Sequence, residues 1–146
     1  MSLSLVPARV FSSYAAVTPE YLADRGVRLL LSDLDFTLAP KSCPAPDEAV
    51  RAWIASMQRA GIEVMILSNN RSPVRVERFC KDLGIRYIGW AKKPWPPGFR
   101  RARALTGVPA GETAMLGDKL LTDMLGANLN GCLALMVEPM GGAVTP

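Results

Sequence analysis

Apolar and polar positions fall into two alternating rhythms along this chain. Residues 27–32 form a short apolar run that ends in acidic residues, the pattern of a buried strand. Residues 47–60 carry Val50, Trp53, Ile54 and Met57 at helical spacing. Asp47 and Glu48 stand near the start of that helix and Gly61 follows its end. Residues 62–67 read as a second buried strand, and 73–83 as a basic helix opened by Pro73 and stopped by Gly84. A short strand at 86–88 precedes a helix at 97–105, after which comes Gly107. Residues 113–116 read as strand, 120–129 as helix and 132–137 as a last strand. No internal repeat, low-complexity tract or long linker interrupts the series.

Strands alternating with helices through short loops predict an α/β fold: a doubly wound, mainly parallel sheet with helices on both faces. The expected layout is a single domain over residues 1–146. It has an N-terminal extension at 1–25, a core at 26–138 and a tail at 139–146. Ligands of such sheets bind beyond the carboxyl ends of the strands. The reactive side chains gather at those positions. Asp33 and Asp35 follow the first strand, Ser68 the second, Lys93 the third and Asp118 the fourth.

Composition narrows the chemistry. The chain has 146 residues, 49% of them hydrophobic and 21% charged, which excludes disordered and collagen-like classes. It contains no histidine, which removes Ser-His-Asp and Cys-His nucleophile systems, histidine-ligated zinc and histidine acid–base catalysis within this chain. Cys43, Cys80 and Cys132 form no CxxC pair and read as free thiols in a reducing compartment. The net charge is +4, and it is uneven. Arg71, Arg75, Arg78, Lys81, Arg86, Lys92, Lys93, Arg100, Arg101 and Arg103 face only Glu77 and Asp82 over that stretch. Such a stretch reads either as a surface for phosphate, anionic lipid or nucleic acid, or as ordinary solvated helix faces. No apolar run approaches the ~20 residues that span a bilayer, and the start of the chain makes a poor signal peptide. The expected location is cytoplasmic, with peripheral contact at the inner face of a membrane left open.

Two carboxylates at Asp33 and Asp35 can point into one site, where their repulsion demands a cation or a proton. Asp118 adds a third carboxylate from another strand. Oxygen-only ligands of this kind suit Mg²⁺, often bound together with substrate phosphate. A cation there would let a carboxylate nucleophile attack an anionic phosphoryl group. Ser68 and Lys93 would supply a hydroxyl and a fixed positive charge to the phosphoryl oxygens, with Thr37 and nearby backbone N–H groups as further donors. Each residue also has an ordinary reading. Asp33 and Asp35 could be turn or cap residues, Ser68 a loop cap before Asn69 and Asn70, Lys93 a surface lysine, Asp118 a turn residue and Asp123 a helix-opening charge.

Asp33-Leu34-Asp35-Phe36-Thr37-Leu38 resembles the DxDxT signature of the haloacid dehalogenase superfamily. Ser68, Lys93 and Gly117-Asp118 with Asp123 are similar to its second, third and fourth motifs. The resemblance runs from about Val27 to Val137. Within the superfamily it lies nearest the YqeG-type phosphatases, which are similar to phosphatidylglycerophosphate phosphatases of membrane lipid synthesis. The phrases that carry it are Ser68-Asn69-Asn70, Lys93-Pro94 and Gly117-Asp118-Lys119-Leu120-Leu121-Thr122-Asp123. Phe36 departs from it, since that family usually carries Asn there. The resemblance implies Asp33 as nucleophile and Asp35 as general acid/base. It implies Mg²⁺ held by Asp33, the Asp35 carbonyl and Asp118, with the phosphoryl group bound by Ser68, Asn69, Lys93 and Thr37. Asp123 would support Lys93 or the water shell of the metal.

Asp35 and Ser68 are separated by 32 residues, and Ser68 and Lys93 by 24. Neither gap has room for a cap domain. An open site suits a phosphorylated substrate whose bulk stays outside, and a membrane lipid headgroup is the expected candidate. Trp90 and Trp95 beside Lys93 fit a membrane interface, although Trp90 leans toward a core residue. Pro94 to Pro97 reads as the start of the next helix. The alternatives are a phosphatase for a soluble sugar or nucleotide phosphate, a non-catalytic binding module of the same fold, and a response-regulator receiver. The receiver would need an acidic residue near Ser68 or Asn69, where none stands. No nucleic-acid partner is expected, since neither a zinc-finger pattern nor a stacking platform is visible. The oligomeric state is left open.

Overall fold

A computed structural model describes residues 2–140. Its centre is one six-stranded sheet with every neighbouring pair parallel. The strands are β1 (Arg9–Phe11), β2 (Leu29–Ser32), β3 (Glu63–Leu67), β4 (Tyr87–Ile88), β5 (Thr113–Gly117) and β6 (Leu133–Val137), arranged in the order β1-β6-β5-β2-β3-β4. From β2 the chain winds outward through β3 and β4, then returns to β5 on the other side of β2. That reversal places a crevice at the carboxyl ends of β2 and β5.

The helices are α1 (Pro19–Asp24), α2 (Glu48–Arg59), α3 (Pro73–Leu83), α4 (Pro96–Thr106) and α5 (Leu125–Leu129), the last entered through a π-helical turn at Leu120–Met124. Their ends follow local chemistry. The Asp47 carboxylate accepts from Val50 N at 2.9 Å to cap α2, and Ser72 Oγ accepts from Arg75 N at 3.3 Å to cap α3. α4 opens on Pro96 and Pro97, as the sequence predicts, and ends at Gly107 with φ 72°.

Alternate strand residues feed two cores. Leu30, Val64, Ile66, Ala114, Leu116 and Leu135 pack with Trp53, Ile54 and Met57 of α2 and Phe79 of α3. Leu29, Leu31, Met65, Leu67 and Met115 pack with Phe99 of α4 and Ala127 of α5. Strands covered on both faces read as continuous apolar runs, which is why β2, β3, β5 and β6 are legible in the sequence.

The sequence pattern predicts no element before residue 27, yet the structure builds three there. β1 pairs with β6, a 3-10 turn spans Tyr14–Ala16, and Thr18 caps α1. Phe11, Tyr14, Val17 and Leu22 are buried in the first core, so this segment is part of the packed unit. In β1 only Phe11 faces inward, too short a stretch to show a period. Of the expected tail, Met140 N donates to Phe36 O at 2.8 Å, and residues 141–146 lie outside the described residues. Among the described residues no helix is long and apolar enough to cross a membrane. The connection from Asp35 to Ser68 contains α2 and β3 as its regular elements.

Candidate active site

The carboxyl ends of β2, β3 and β5 converge on an open cleft of about 550 Å³. Asp33, Asp35, Phe36, Ser68, Asn69 and Lys93 are among its lining residues. Asp33 leaves β2 with its N–H still paired to Leu116 O of β5 at 2.9 Å, so the sheet itself sets its position. Its Oδ1 accepts from Leu34 N at 2.9 Å and lies 3.3 Å from Lys93 Nζ. Ser68 leaves β3 fully buried, and its Oγ accepts from Asn70 N at 3.0 Å.

Lys93 is the buried cation of the site. Its Nζ lies 2.6 Å from Asp123 Oδ1, in a pair that excludes solvent almost completely. Asp123 Oδ2 accepts from Lys119 N at 3.2 Å, so both of its oxygens serve the architecture. A Cβ at Gly117 would come within 2.2 Å of Asp123 Oδ2, which explains why the residue before Asp118 is glycine. The Lys93 backbone is held from the side by Asn69. Lys93 N donates to Asn69 Oδ1 at 2.8 Å, and Asn69 Nδ2 donates to Lys93 O at 3.0 Å. The Asn69 amide, expected at the phosphoryl group, lines the cleft and makes both of these bonds to the Lys93 backbone.

Thr37, expected among the phosphoryl donors, packs against Asp118. It is fully buried, with Oγ1 donating to Asp118 Oδ1 at 3.5 Å, rather than lining the cleft. Asp35 lines the cleft with partners of its own, Arg75 Nη2 at 3.1 Å from Oδ1 and Asn70 Nδ2 at 2.8 Å from Oδ2. Sequence reasoning missed Arg75 and Asn70, because their partner lies far away in the chain. Trp90 proves about half exposed (48%) with the Arg71 guanidinium 4.4 Å from its ring centroid, and so is not a core residue. It holds a φ of 47° in the loop before Lys93. The basic stretch is not one surface. Arg75 pairs with Asp35, Arg86 with Glu63 and Lys93 with Asp123.

The sequence model of the haloacid dehalogenase-like hydrolases matches residues 12–131. This chain belongs to that family. The hydrolase is 37% identical over 127 residues to the "Probable phosphatase YqeG" of Bacillus subtilis (strain 168). That match covers 87% of this chain and 73% of the Bacillus protein. Among solved structures it is similar to the cobalt-bound deoxy-D-mannose-octulosonate 8-phosphate phosphatase of Haemophilus influenzae. There the TM-score is 0.59 and the identity 20%, covering 76% of this chain and 68% of that one. A haloacid dehalogenase-like hydrolase of Brucella suis 1330 gives a TM-score of 0.58 at 10% identity, covering 87% and 93%. At these identities the structures speak for a shared fold.

The electrostatics of the hydrolase's site show a carboxylate cluster that could hold a metal ion. One oxygen from each of Asp33, Asp118 and Asp123 lies within 4.8 Å of the others, and all three residues are buried. When all three are ionised, Lys93 and the partly exposed Lys119 offset two of the charges and leave the cluster with one in excess. Burial pushes the Asp33 carboxyl up from its ordinary 3.8 to about 7; Lys93 opposes the rise, while Asp123 and Asp118 add to it. Asp118 is raised as well, chiefly by burial, against the pull of Lys119. Lys93 is lowered by burial but raised further by Asp123 and Asp33, so it stays charged. Asp118 Oδ2 is buried without a hydrogen bond, its cation Lys119 standing 3.5 Å away. A compact set of hard carboxylate oxygens with excess negative charge fits a divalent cation.

Proposed function

We propose that this hydrolase is a divalent-metal-dependent phosphatase that cleaves a phosphate monoester through an aspartyl-phosphate on Asp33. The observation that carries this reading is the buried Asp33–Lys93–Asp118–Asp123 cluster, of which Asp33 and Lys93 line an open cleft. Asp33 and Asp118 would hold the cation together with the Asp35 carbonyl, since Asp123 already spends its oxygens on Lys93 and Lys119 N. Mg²⁺ is the proposed ion. When bound, it neutralises the carboxylates and the phosphoryl oxygens, so that anion can approach anion.

The residues of the chain perform the rest. An Asp33 oxygen attacks phosphorus, the bond from phosphorus to the ester oxygen breaks, and Asp35 gives that oxygen a proton. Asp35, now a carboxylate, takes a proton from water as the water oxygen attacks the aspartyl-phosphate. Phosphate leaves and Asp33 is restored. Lys93 Nζ and Ser68 present fixed donors to the phosphoryl oxygens.

The proposed substrate is a phosphorylated lipid headgroup of the phosphatidylglycerophosphate kind, met by a cytoplasmic protein at the membrane surface. An open cleft supports this, as do the exposed Trp90, Trp95, Leu120 and Leu121 and the cations Lys41, Arg71 and Lys119 at the cleft. The test is Mg²⁺-dependent phosphate release from phosphatidylglycerophosphate in mixed micelles, alongside soluble sugar and nucleotide phosphates. The expected result is a strong preference for the lipid. Turnover should fall by about four orders of magnitude in Asp33→Asn with the fold retained. Activity on soluble esters alone would overturn the lipid substrate. Full activity in Asp33→Asn would overturn the covalent mechanism, and inactivity on every ester would favour a binding module.

A further inference from the structure

Arg75 has no part in the chemistry above, yet it is one of the most heavily engaged side chains near the cleft. It sits in the first turn of α3 with 12% of its side chain exposed. Its Nε and Nη2 donate to Asp35 Oδ1 at 3.3 and 3.1 Å. Nη2 also donates to Pro40 O at 3.2 Å, and Nη1 donates to Cys43 O. The guanidinium carbon lies 5.5 Å from the Phe79 ring centroid, so the fork rests on the core. One planar group therefore ties the carboxylate of Asp35 to the loop that follows it and to the start of α3.

The second oxygen of Asp35 has a different environment. Oδ2 accepts from Asn70 Nδ2 at 2.8 Å, and Asn70 Oδ1 accepts from Ser72 N at 2.8 Å, which fixes the amide orientation. Asn70 lines the cleft, whereas Arg75 does not. A carboxyl that carries a proton on Oδ2 still has lone pairs there for Asn70, while Oδ1 remains wholly given to the two guanidinium donors.

We propose that Arg75 is a positioning residue for Asp35, assigning Oδ1 to the guanidinium clamp and leaving Oδ2, on the cleft side, as the oxygen that exchanges the proton with the ester oxygen. The inference rests on Asp35 acting as the general acid. Its balance is that of the first step above: the proton leaves Asp35 Oδ2 for the departing ester oxygen as the bond to phosphorus breaks. Lysine replaces the clamp only in part, because an ammonium is a point charge without a planar fork for a carboxylate and two carbonyls.

The leaving group supplies the test. p-Nitrophenyl phosphate releases an anion that departs unaided, whereas glycerol phosphate releases an alkoxide that needs the proton. kcat/KM for both substrates is measured in the full chain and in Arg75→Gln, Arg75→Lys, Asp35→Asn and the Arg75→Gln/Asp35→Asn double variant. General acid assistance accounts for about 10²–10⁴-fold. Arg75→Gln is therefore expected to lower kcat/KM on glycerol phosphate about 100-fold and on p-nitrophenyl phosphate only a few-fold. Arg75→Lys should show the same split in smaller measure, which covers the case in which Arg75→Gln does not fold. The double variant should be no slower on glycerol phosphate than Asp35→Asn alone. Equal losses on both substrates in the Arg75 variants, beside a clear split in Asp35→Asn, would overturn the positioning role alone. No split in Asp35→Asn would overturn the general-acid reading, and the inference with it.

Discussion

The two ends of the parallel sheet use the same kinds of ion pair to opposite effect. At the amino ends, Arg28 meets Glu112 at 2.5 Å and Arg86 meets Glu63 at 2.9 Å, all with side chains a third or more exposed. Water screens these charges, and each pair contributes about 0–1 kcal/mol. At the carboxyl ends Lys93 meets Asp123 at 2.6 Å with both side chains at 1% exposure or less. There a charge without a partner has no water to turn to, so the charges have to balance within the site. An exposed pair can be lost with little consequence, whereas a buried one dictates which other charges its neighbourhood accepts. The candidate site lies at the end where that constraint is strict.

Breaking one pair at each end exposes the contrast. Lys93→Met strands Asp33 and Asp123 without their cation and is expected to destabilise the metal-free protein by about 3–5 kcal/mol. Denaturant unfolding measures it, and a loss below about 1 kcal/mol would contradict the buried-charge reading. Glu63→Gln at the other end should change stability by no more than about 1 kcal/mol. It should leave turnover unchanged in the same assay that tests Asp33→Asn. A larger loss would show that exposure does not separate the two ends.

The same contrast explains what the sequence discloses. β2, β3, β5 and β6 are covered on both faces and reveal themselves as apolar runs, while α2 and α3 show helical spacing with their caps. β1 and α1 do not, because a three-residue edge strand and a six-residue helix carry too few inward positions to form a pattern. Asp33, Ser68, Lys93 and Asp118 were legible because a parallel sheet brings its strand ends together. The wiring between side chains was not. Nothing local marks Asn69 as the clamp on the Lys93 backbone or Thr37 as a partner of Asp118. Arg75 is hidden among surface-like arginines, since only folding brings α3 beside Asp35. Phe36 shows a further gap between sequence and conformation. It holds φ 66°, a left-handed geometry that Asn adopts more readily than an aromatic residue.

The central claim is that the carboxyl end of the sheet carries buried negative charge that a divalent cation balances. Thermal unfolding from pH 4 to pH 8, with EDTA and with excess Mg²⁺, tests it most directly. The folded Asp33 carboxyl titrates at about 7 against an ordinary 3.8, and Asp118 is shifted in the same direction. Below about pH 4 both the folded and unfolded chains hold these protons, and burial carries no penalty. As pH rises through the window up to about 7, the unfolded chain releases them first and the folded state loses stability. The expected result is a metal-free Tm that falls across that window and a Mg²⁺-induced rise in Tm that is larger at pH 8 than at pH 5. A metal-free Tm that climbs from pH 4 to pH 7 while Mg²⁺ shifts it equally at both ends would contradict the account.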